Sequence, residues 1–172
     1  MATPHKFMTE SLIPLITALR EELKNYGEML ARLDQQQAAV MDRQSEATLA
    51  TASAIQAQAD VIQVARQDRT LCQRAAARDL CLIESATFAE IIPLLPEAYR
   101  PLVQTLVEEN NSLLQRVQQR GRQNHLLLSR SVELMQQFMS TLFPAHDPRT
   151  YDDRGHRLAP VLPTAPRYEA VG

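Results

Sequence analysis

Residues 99–143 read YRPLVQTLVEENNSLLQRVQQRGRQNHLLLSRSVELMQQFMSTLF. A stripe of residues in this stretch is spaced alternately by four and three positions, a repeat of 3.5 that is typical of one helix packed along another. The stripe consists of Tyr99, Val103, Leu106, Asn110, Leu113, Val117, Arg120, Asn124, Leu127, Ser131, Leu134, Phe138 and Thr141. We therefore predict a single long amphipathic helix over about 97–143.

The C-terminal end of this helix is rich in soft apolar side chains, although several stripe positions before it are polar. These apolar residues are Leu134, Met135, Phe138, Met139, Leu142 and Phe143. Thioether side chains adapt to partners of imperfect shape. We expect this end of the helix to contact another protein, with packing into the core as the alternative.

Composition places the chain among helical proteins with a thin core. The 172 residues are 45% hydrophobic, but they include no Trp, four Phe, four Tyr and only four Gly. Alanine accounts for much of the apolar content, and it contributes helix propensity rather than buried area. The predicted fold class is all-α, in one domain.

Charge and hydropathy exclude several classes of partner. The net charge of −2 comes from interspersed acids and bases, so no basic field is present to bind nucleic acid. No apolar run approaches the length of about 20 residues that spans a bilayer, and residues 1–10 lack a secretory signal. We expect a cytoplasmic protein without membrane insertion. Cys72 and Cys81 match no disulfide or zinc pattern and are interpreted as reduced, buried thiols.

The N-terminal half carries a second stripe with the same spacing, after Thr9 or Ser11, either of which can cap a helix start. It consists of Leu12, Ile16, Leu19, Leu23, Tyr26, Leu30, Leu33, Gln37 and Val40. From Val40 to Ile55 is one residue more than two heptads, so one register cannot continue unbroken. With no Pro or Gly there, we predict one helix over about 9–83, with a break near 44–57 as the alternative.

Residues 85–96 separate the two helical halves as a short corner. Thr87 and Glu90 have the spacing of a capping box, and Pro93 limits the following helix to a turn or two. Pro96 suits the first position of the next helix. These signals predict an elongated antiparallel helical hairpin or coiled coil, or a three-helix bundle if the first helix breaks.

In a hairpin of two long helices, the stripe from Leu12 to Leu33 would overhang the second helix and expose an apolar surface. Three arrangements remove that exposure: a break in the first helix that gives a three-helix bundle, association of two chains, or a bound protein partner. A monomer and a homodimer are both compatible with these alternatives.

After Phe143 the composition changes to a proline-rich segment with few large apolar residues, which cannot support a packed element. We predict a helical domain over 1–143 and a flexible tail over 144–172. The four His residues lack the spacings of helical metal sites, and Asp152, Asp153 and His156 lie in the tail without fixed geometry. We expect no metal, no cofactor and no enzymatic activity.

The segment QNHLLLSRSVELMQQFMSTLF, followed by TYDDRGHR, resembles the FlgN family of flagellar export chaperones. Asn124, Leu126 and Leu127 match the first part of the family pattern, and Tyr151 and Gly155 match the second. His125 stands where the family typically has Gly. The order of long helix, proline-marked corner, long helix and loose tail is also similar to that family.

The resemblance implies a cytosolic chaperone that binds the helical termini of hook-filament junction proteins of the FlgK and FlgL type and delivers them to the flagellar export gate. The residues expected to bind a partner are Asn124, Leu127, Leu134, Met135, Phe138, Leu142, Phe143 and Tyr151. Asn124 can instead fix the register between two helices. The alternative function is a structural coiled-coil scaffold or tether that acts by self-association.

Overall fold

The structure, a computed structural model, describes residues 4–142, with side chains from residue 11 onward. Four α-helices follow one another in these residues, with a short 3-10 helix, Ile92–Leu94, between the last two: α1 Pro4–Met41, α2 Ser45–Asp79, α3 Phe88–Ile91 and α4 Arg100–Leu142. No strand occurs within 4–142, and the predicted all-α fold is confirmed. The chain divides into two compact units, Met1–Ser129 and Arg130–Gly172.

In place of one helix over about 9–83, the chain forms α1 and α2, joined by a turn at residues 42–44. The break lies just before the interval 44–57 in which the sequence allowed one. The N–H of Gln44 donates to the carbonyl of Ala39 at 2.9 Å, and that of Arg43 donates to the carbonyl of Val40 at 3.2 Å. These two bonds form a Schellman motif, in which Arg43 takes the left-handed position with φ 55°.

The C-terminal end of α2 uses the same motif. The N–H of Leu82 donates to the carbonyl of Ala77 at 2.8 Å, and Cys81 occupies the left-handed position with φ 57°. Cys81 is exposed and Cys72 is half-buried, both as free thiols. The interpretation of Cys81 as buried is therefore wrong, because the residue after a helix end turns outward with the chain.

The predicted corner is present. The Thr87 N–H donates to the Glu90 carboxylate at 2.7 Å, and the Thr87 hydroxyl donates to the same oxygen at 2.9 Å. These two bonds, the main-chain one first, lower the pKa of Glu90. The capping box thus starts α3, and the 3-10 helix that contains Pro93 ends this helical turn as expected.

Hydrogen bonds across the helices define their directions. The Asn110 amide donates to the carbonyl of Leu19 at 2.9 Å, and the Asn124 amide donates to the carbonyl of Leu33 at 2.7 Å. From the first bond to the second, the donor on α4 and the acceptor on α1 both move 14 residues toward the C-terminus, so α4 runs parallel to α1. The turn at 42–44 makes α2 antiparallel to α1. α4 is therefore antiparallel to α2, the direction predicted for the last long helix, and is hydrogen-bonded to α1 as a parallel neighbour.

The main core of the first unit is apolar and lies where the starts of α1 and α4 meet the end of α2 and the corner. It is formed by Leu12, Leu15, Ile16, Leu19, Ala76, Ala77, Ala86, Ile91, Leu95, Val103 and Leu106. Further along α1, Tyr26 and Leu33 are also buried. The predicted overhang of the stripe from Leu12 to Leu33 does not occur, because the break in the first helix lets this stripe become core.

A buried carboxylate joins α1 to α2. Glu22 is 4% exposed, accepts a bond from the Tyr26 hydroxyl at 2.9 Å and lies 3.0 Å from Nε of Arg69. Burial, with a smaller contribution from the adjacent Glu22, raises the pKa of Tyr26 to about 12. The charge of Glu22 is thereby compensated where a lone buried carboxylate would destabilise the fold.

Replacement of Arg43 by Gly tests the turn. Glycine adopts the left-handed conformation without the steric cost of a Cβ, so we expect the free energy of unfolding to rise by roughly 0.5–1 kcal/mol. Urea denaturation measures this change. Arg43→Ala is the control, since it keeps the Cβ and should give no gain. A lower free energy of unfolding for Arg43→Gly, together with a higher one for Arg43→Ala, would indicate a continuous helix at this position.

The buried phenol of Tyr26 predicts a pH dependence of stability. Its pKa lies at about 12 in the folded chain, against an ordinary value of 10.0. The stabilisation from this group is complete below pH 10.0 and is lost as the pH rises toward 12, because the unfolded chain releases the proton first. Urea unfolding at a series of pH values measures the loss, with Tyr26→Phe as the control. Equal pH profiles for the two chains would contradict the assignment.

Candidate partner-binding site

The last twelve residues of α4, from Ser131 to Leu142, are all exposed. The four buried residues of α4, Val103, Leu106, Asn110 and Asn124, precede them. This segment belongs to the second compact unit, of which the structure describes residues 130–142. Its sequence is nevertheless one of the most apolar on the helix, which is the reverse of what an ordinary solvated helix face shows.

Six large apolar side chains of this segment share one broad side of the helix, through steps of three and four residues. We call this surface the apolar C-terminal face; it consists of Val132, Leu134, Met135, Phe138, Met139 and Leu142. Each of the six is between 48% and 62% exposed. A contiguous apolar surface of this kind on a protein marks an interaction site.

Two hydroxyl groups of the same segment are already hydrogen-bonded within the helix. The hydroxyls of Ser140 and Thr141 both donate to the carbonyl of Gln137 at 2.8 Å, within the helix itself. Arg130 and Glu133 are the two charged residues of the segment 130–142. Contacts made by this surface are therefore dominated by apolar burial, which is non-directional.

The structure separates the residues that the sequence predicted for partner binding. Leu134, Met135, Phe138 and Leu142 lie on the apolar C-terminal face, and Leu127, in the first unit, is 37% exposed. Asn124 is 3% exposed and donates to the carbonyl of Leu33 and to Oε1 of Gln36. Such bonds fix the register between two helices, which is the alternative stated for this residue, and a role of Asn124 in partner binding stays a prediction. Phe143 and Tyr151 lie outside the described residues.

Val132 and Met139 complete the face. Met139 was one of the apolar residues of the helix end expected to contact another protein, although it was not named among the individual binding residues, and Val132 was in neither set. Both were within reach of sequence reasoning, since Val132 precedes Met135 by three positions and Met139 follows it by four. The 3.5-residue stripe contains neither of them, nor Met135 or Leu142, because it follows a narrow seam. An exposed binding face is broader, and the full helical period of 3.6 describes it better.

The family model described as FlgN protein matches residues 8–158, most of the chain. The chain belongs to the FlgN family. Membership makes it a flagellar export chaperone in general terms, with flagellar proteins as partners. The resemblance to this family is thereby confirmed. No curated protein and no solved structure matches the chain.

Other kinds of site find little support in the part of this FlgN-family chain that the structure describes. Residues 11–142 contain no group of three or more His, Cys, Asp or Glu side chains that could hold a metal ion. Burial, and secondarily the charge of Asp68, raises the pKa of the Cys72 thiol, which disfavours a reactive thiolate. None of the helices within 4–142 combines the length and apolar character that a membrane span requires. Asp152, Asp153 and His156 lie outside this part.

The exposure of the apolar C-terminal face predicts that its side chains contribute little to folding. We expect Phe138→Ala, at a position 58% exposed, to change the free energy of unfolding by less than about 0.5 kcal/mol. Leu15→Ala, at a fully buried position, should cost about 2–5 kcal/mol. Urea denaturation compares the two variants. A large loss for Phe138→Ala would show that this residue is part of a core.

Proposed function

We propose that this FlgN-family chain is a cytoplasmic flagellar type III export chaperone for hook-filament junction proteins. It binds their helical termini before export, keeps them from aggregating and delivers them to the export gate. The observation that carries the proposal is the apolar C-terminal face, six exposed apolar side chains on one helix of a chain that belongs to an export-chaperone family.

The physical basis of binding is mutual covering of apolar surface. A junction protein whose terminus is an amphipathic helix exposes an apolar stripe that favours aggregation. Met135 and Met139 suit such a stripe because flexible thioethers adjust to partners of different shape. A helix laid against the apolar C-terminal face covers both surfaces at once, in the manner of a helix in a groove.

The expected affinity follows from the size of the face. Completing the burial of six half-exposed side chains yields roughly 1 kcal/mol each, about 6 kcal/mol before any cost. Association costs about 4–15 kcal/mol in lost freedom. The apolar stripe of the partner is covered at the same time and contributes a comparable amount. The two contributions together offset the association cost closely enough to support weak, reversible binding, as a cargo that must later be released requires. Tighter binding needs further contacts from elsewhere in the chain.

The remaining parts of the proposal concern enzymatic activity, nucleic-acid binding and the oligomeric state. Binding and release of a polypeptide need no covalent step, so the proposal assigns no enzymatic activity and no cofactor. A chain with a net charge of −2 is not expected to bind nucleic acid. Burial of the stripe from Leu12 to Leu33 within one chain favours a monomer over a homodimer.

The double variant Phe138→Asp, Leu142→Asp tests the proposed site. Two charges on the apolar C-terminal face should weaken binding of a purified junction-protein helical terminus at least tenfold, measured by calorimetry. Helix content by circular dichroism should stay nearly unchanged, because both residues are more than half exposed. The matched control is Leu49→Asp, Leu71→Asp on α2, at positions 71% and 60% exposed.

Each alternative outcome has a distinct meaning. Undiminished binding by the Phe138, Leu142 variant would exclude the proposed site, and loss only in the α2 control would move the site to α2. Global unfolding of the Phe138, Leu142 variant would show that these residues are core. Self-association of the unmodified chain in sedimentation, without binding of any junction-protein terminus, would favour the scaffold function.

A further inference from the structure

Beyond the main apolar core, the contact of α4 with α1 is polar. Between Leu106 and the end of the first unit at Ser129, the buried residues of α4 are Asn110 and Asn124. The aliphatic residues between them, Leu113, Leu114 and Val117, are only half-buried. We call α4 residues 107–129 the polar seam. A helix held in this way has few buried apolar contacts, the usual basis of low local stability.

Both asparagines of the seam are incompletely bonded. Their amide nitrogens donate to main-chain carbonyls of α1, of Leu19 and Leu33. Their side-chain oxygens are buried, and no donor among the described residues reaches either of them. A buried acceptor without a donor favours any conformation in which water can reach it.

Gly121 weakens the helix in the middle of the seam. Glycine inside a helix is destabilising relative to alanine. Apart from the adjacent backbone of the helix itself, no atom lies within 4 Å of the place where a Cβ would stand, so packing does not require a glycine. The residue just before it, Arg120, pairs with Asp34 of α1 at 2.8 Å and donates to Oε1 of Gln37 at 2.6 Å. The Arg120 side chain is 34% exposed and that of Asp34 is 52% exposed, and ion pairs that water reaches in this way contribute little.

α1 packs more closely against α2 than against α4. The Gln58 amide donates to both the carbonyl and the side-chain oxygen of Asn25 at 3.2 Å, in a buried position. The buried carboxylate of Glu22 binds Arg69. Of the three long helices of the first unit, α4 is therefore the one that can separate while α1 and α2 stay together.

We propose that the polar seam opens reversibly, so that α4 residues 107–129 leave α1 while the main apolar core stays closed. The opened stretch exposes Leu113, Leu114 and Val117 together with the two asparagine amides. These amides bind main-chain carbonyls, which every helix possesses, so the opened surface accepts helices of different sequence. Its use in partner binding rests on the proposed function, whereas the opening itself does not.

Hydrogen exchange of the full chain, followed by mass spectrometry, tests the opening. We expect amides of residues 111–128 to exchange at least tenfold faster than those of Val103 to Leu106, since a detached helical segment of this length is marginal in water. Gly121→Ala should slow exchange within 111–128 by roughly fivefold. Gly27→Ala in α1, where a Cβ also meets no atom within 4 Å, is the matched control and should leave 111–128 unchanged.

Asn110→Leu tests the use of the opened surface. Both of its acceptors are main-chain carbonyls within helices, of Leu19 and Leu106, so the change leaves no side chain without a partner. An apolar residue at this seam position should close the seam, slow exchange of 111–128 at least fivefold and weaken binding of a junction-protein helical terminus about threefold or more.

The outcomes separate the two hypotheses. Exchange of 111–128 as slow as that of Val103 to Leu106 overturns the opening, whatever the chain binds. Slower exchange in Asn110→Leu with unchanged binding overturns the use of the opened surface in binding. If the unmodified chain opens but binds no junction-protein terminus, the opening is supported. The proposed function then fails, and so does the use of the opened surface in partner binding.

Discussion

The apolar stripe of α1 must be kept from water, and this requirement determines the rest of the structure. Leu12, Leu15 and Leu19 are at most 2% exposed, and each fully buried leucine contributes about 1.5–3 kcal/mol. The turn that brings α2 back over α1 requires Arg43 in a left-handed conformation, at a cost of about 1–2 kcal/mol. Burial therefore outweighs continuity of the helix, and the chain folds back on itself.

The same packing gives the first unit an apolar end and an end with buried polar contacts. Leucine, isoleucine and alanine side chains form the core where the corner meets the starts of α1 and α4. Further along, Glu22, Asn25, Gln58, Asn110 and Asn124 are buried and hydrogen-bonded across helices. Apolar contacts tolerate sliding, whereas the two asparagine bonds, two heptads apart on both helices, fix the register of α4. Polar contacts of this kind give specificity at some cost in stability.

Local signals in the sequence predicted the elements well. The capping box at Thr87 and the corner with Pro93 follow from side-chain spacing and from a missing N–H, which act within a few residues. The position of the break did not follow, because the Schellman turn uses Arg43 where a glycine is usual, and the sequence contains no breaker there. The Glu22 to Arg69 pair joins residues 47 positions apart, so only the fold brings them together.

The candidate site was predictable to the extent that it depends on composition and helical period. Four of the predicted residues lie on the apolar C-terminal face because a long helix with apolar residues on one side presents them together. Asn124 differs, since the same heptad position serves as a buried contact where another helix lies alongside. Pattern alone does not distinguish these two environments, and burial of the amide decides between them.

On the proposed function, the two surfaces recognise a partner through general properties of helices. Binding of an amphipathic helix to the apolar C-terminal face becomes more favourable in proportion to the apolar area that is buried. Met135 and Met139 adjust to the shape of that helix. The seam asparagines bind main-chain carbonyls, which carry no sequence information. Neither mode selects a particular sequence, so a chaperone built in this way can serve several related helical termini. Discrimination among them must then come from differences in exposed apolar area, since a terminus already packed in its own folded protein offers none.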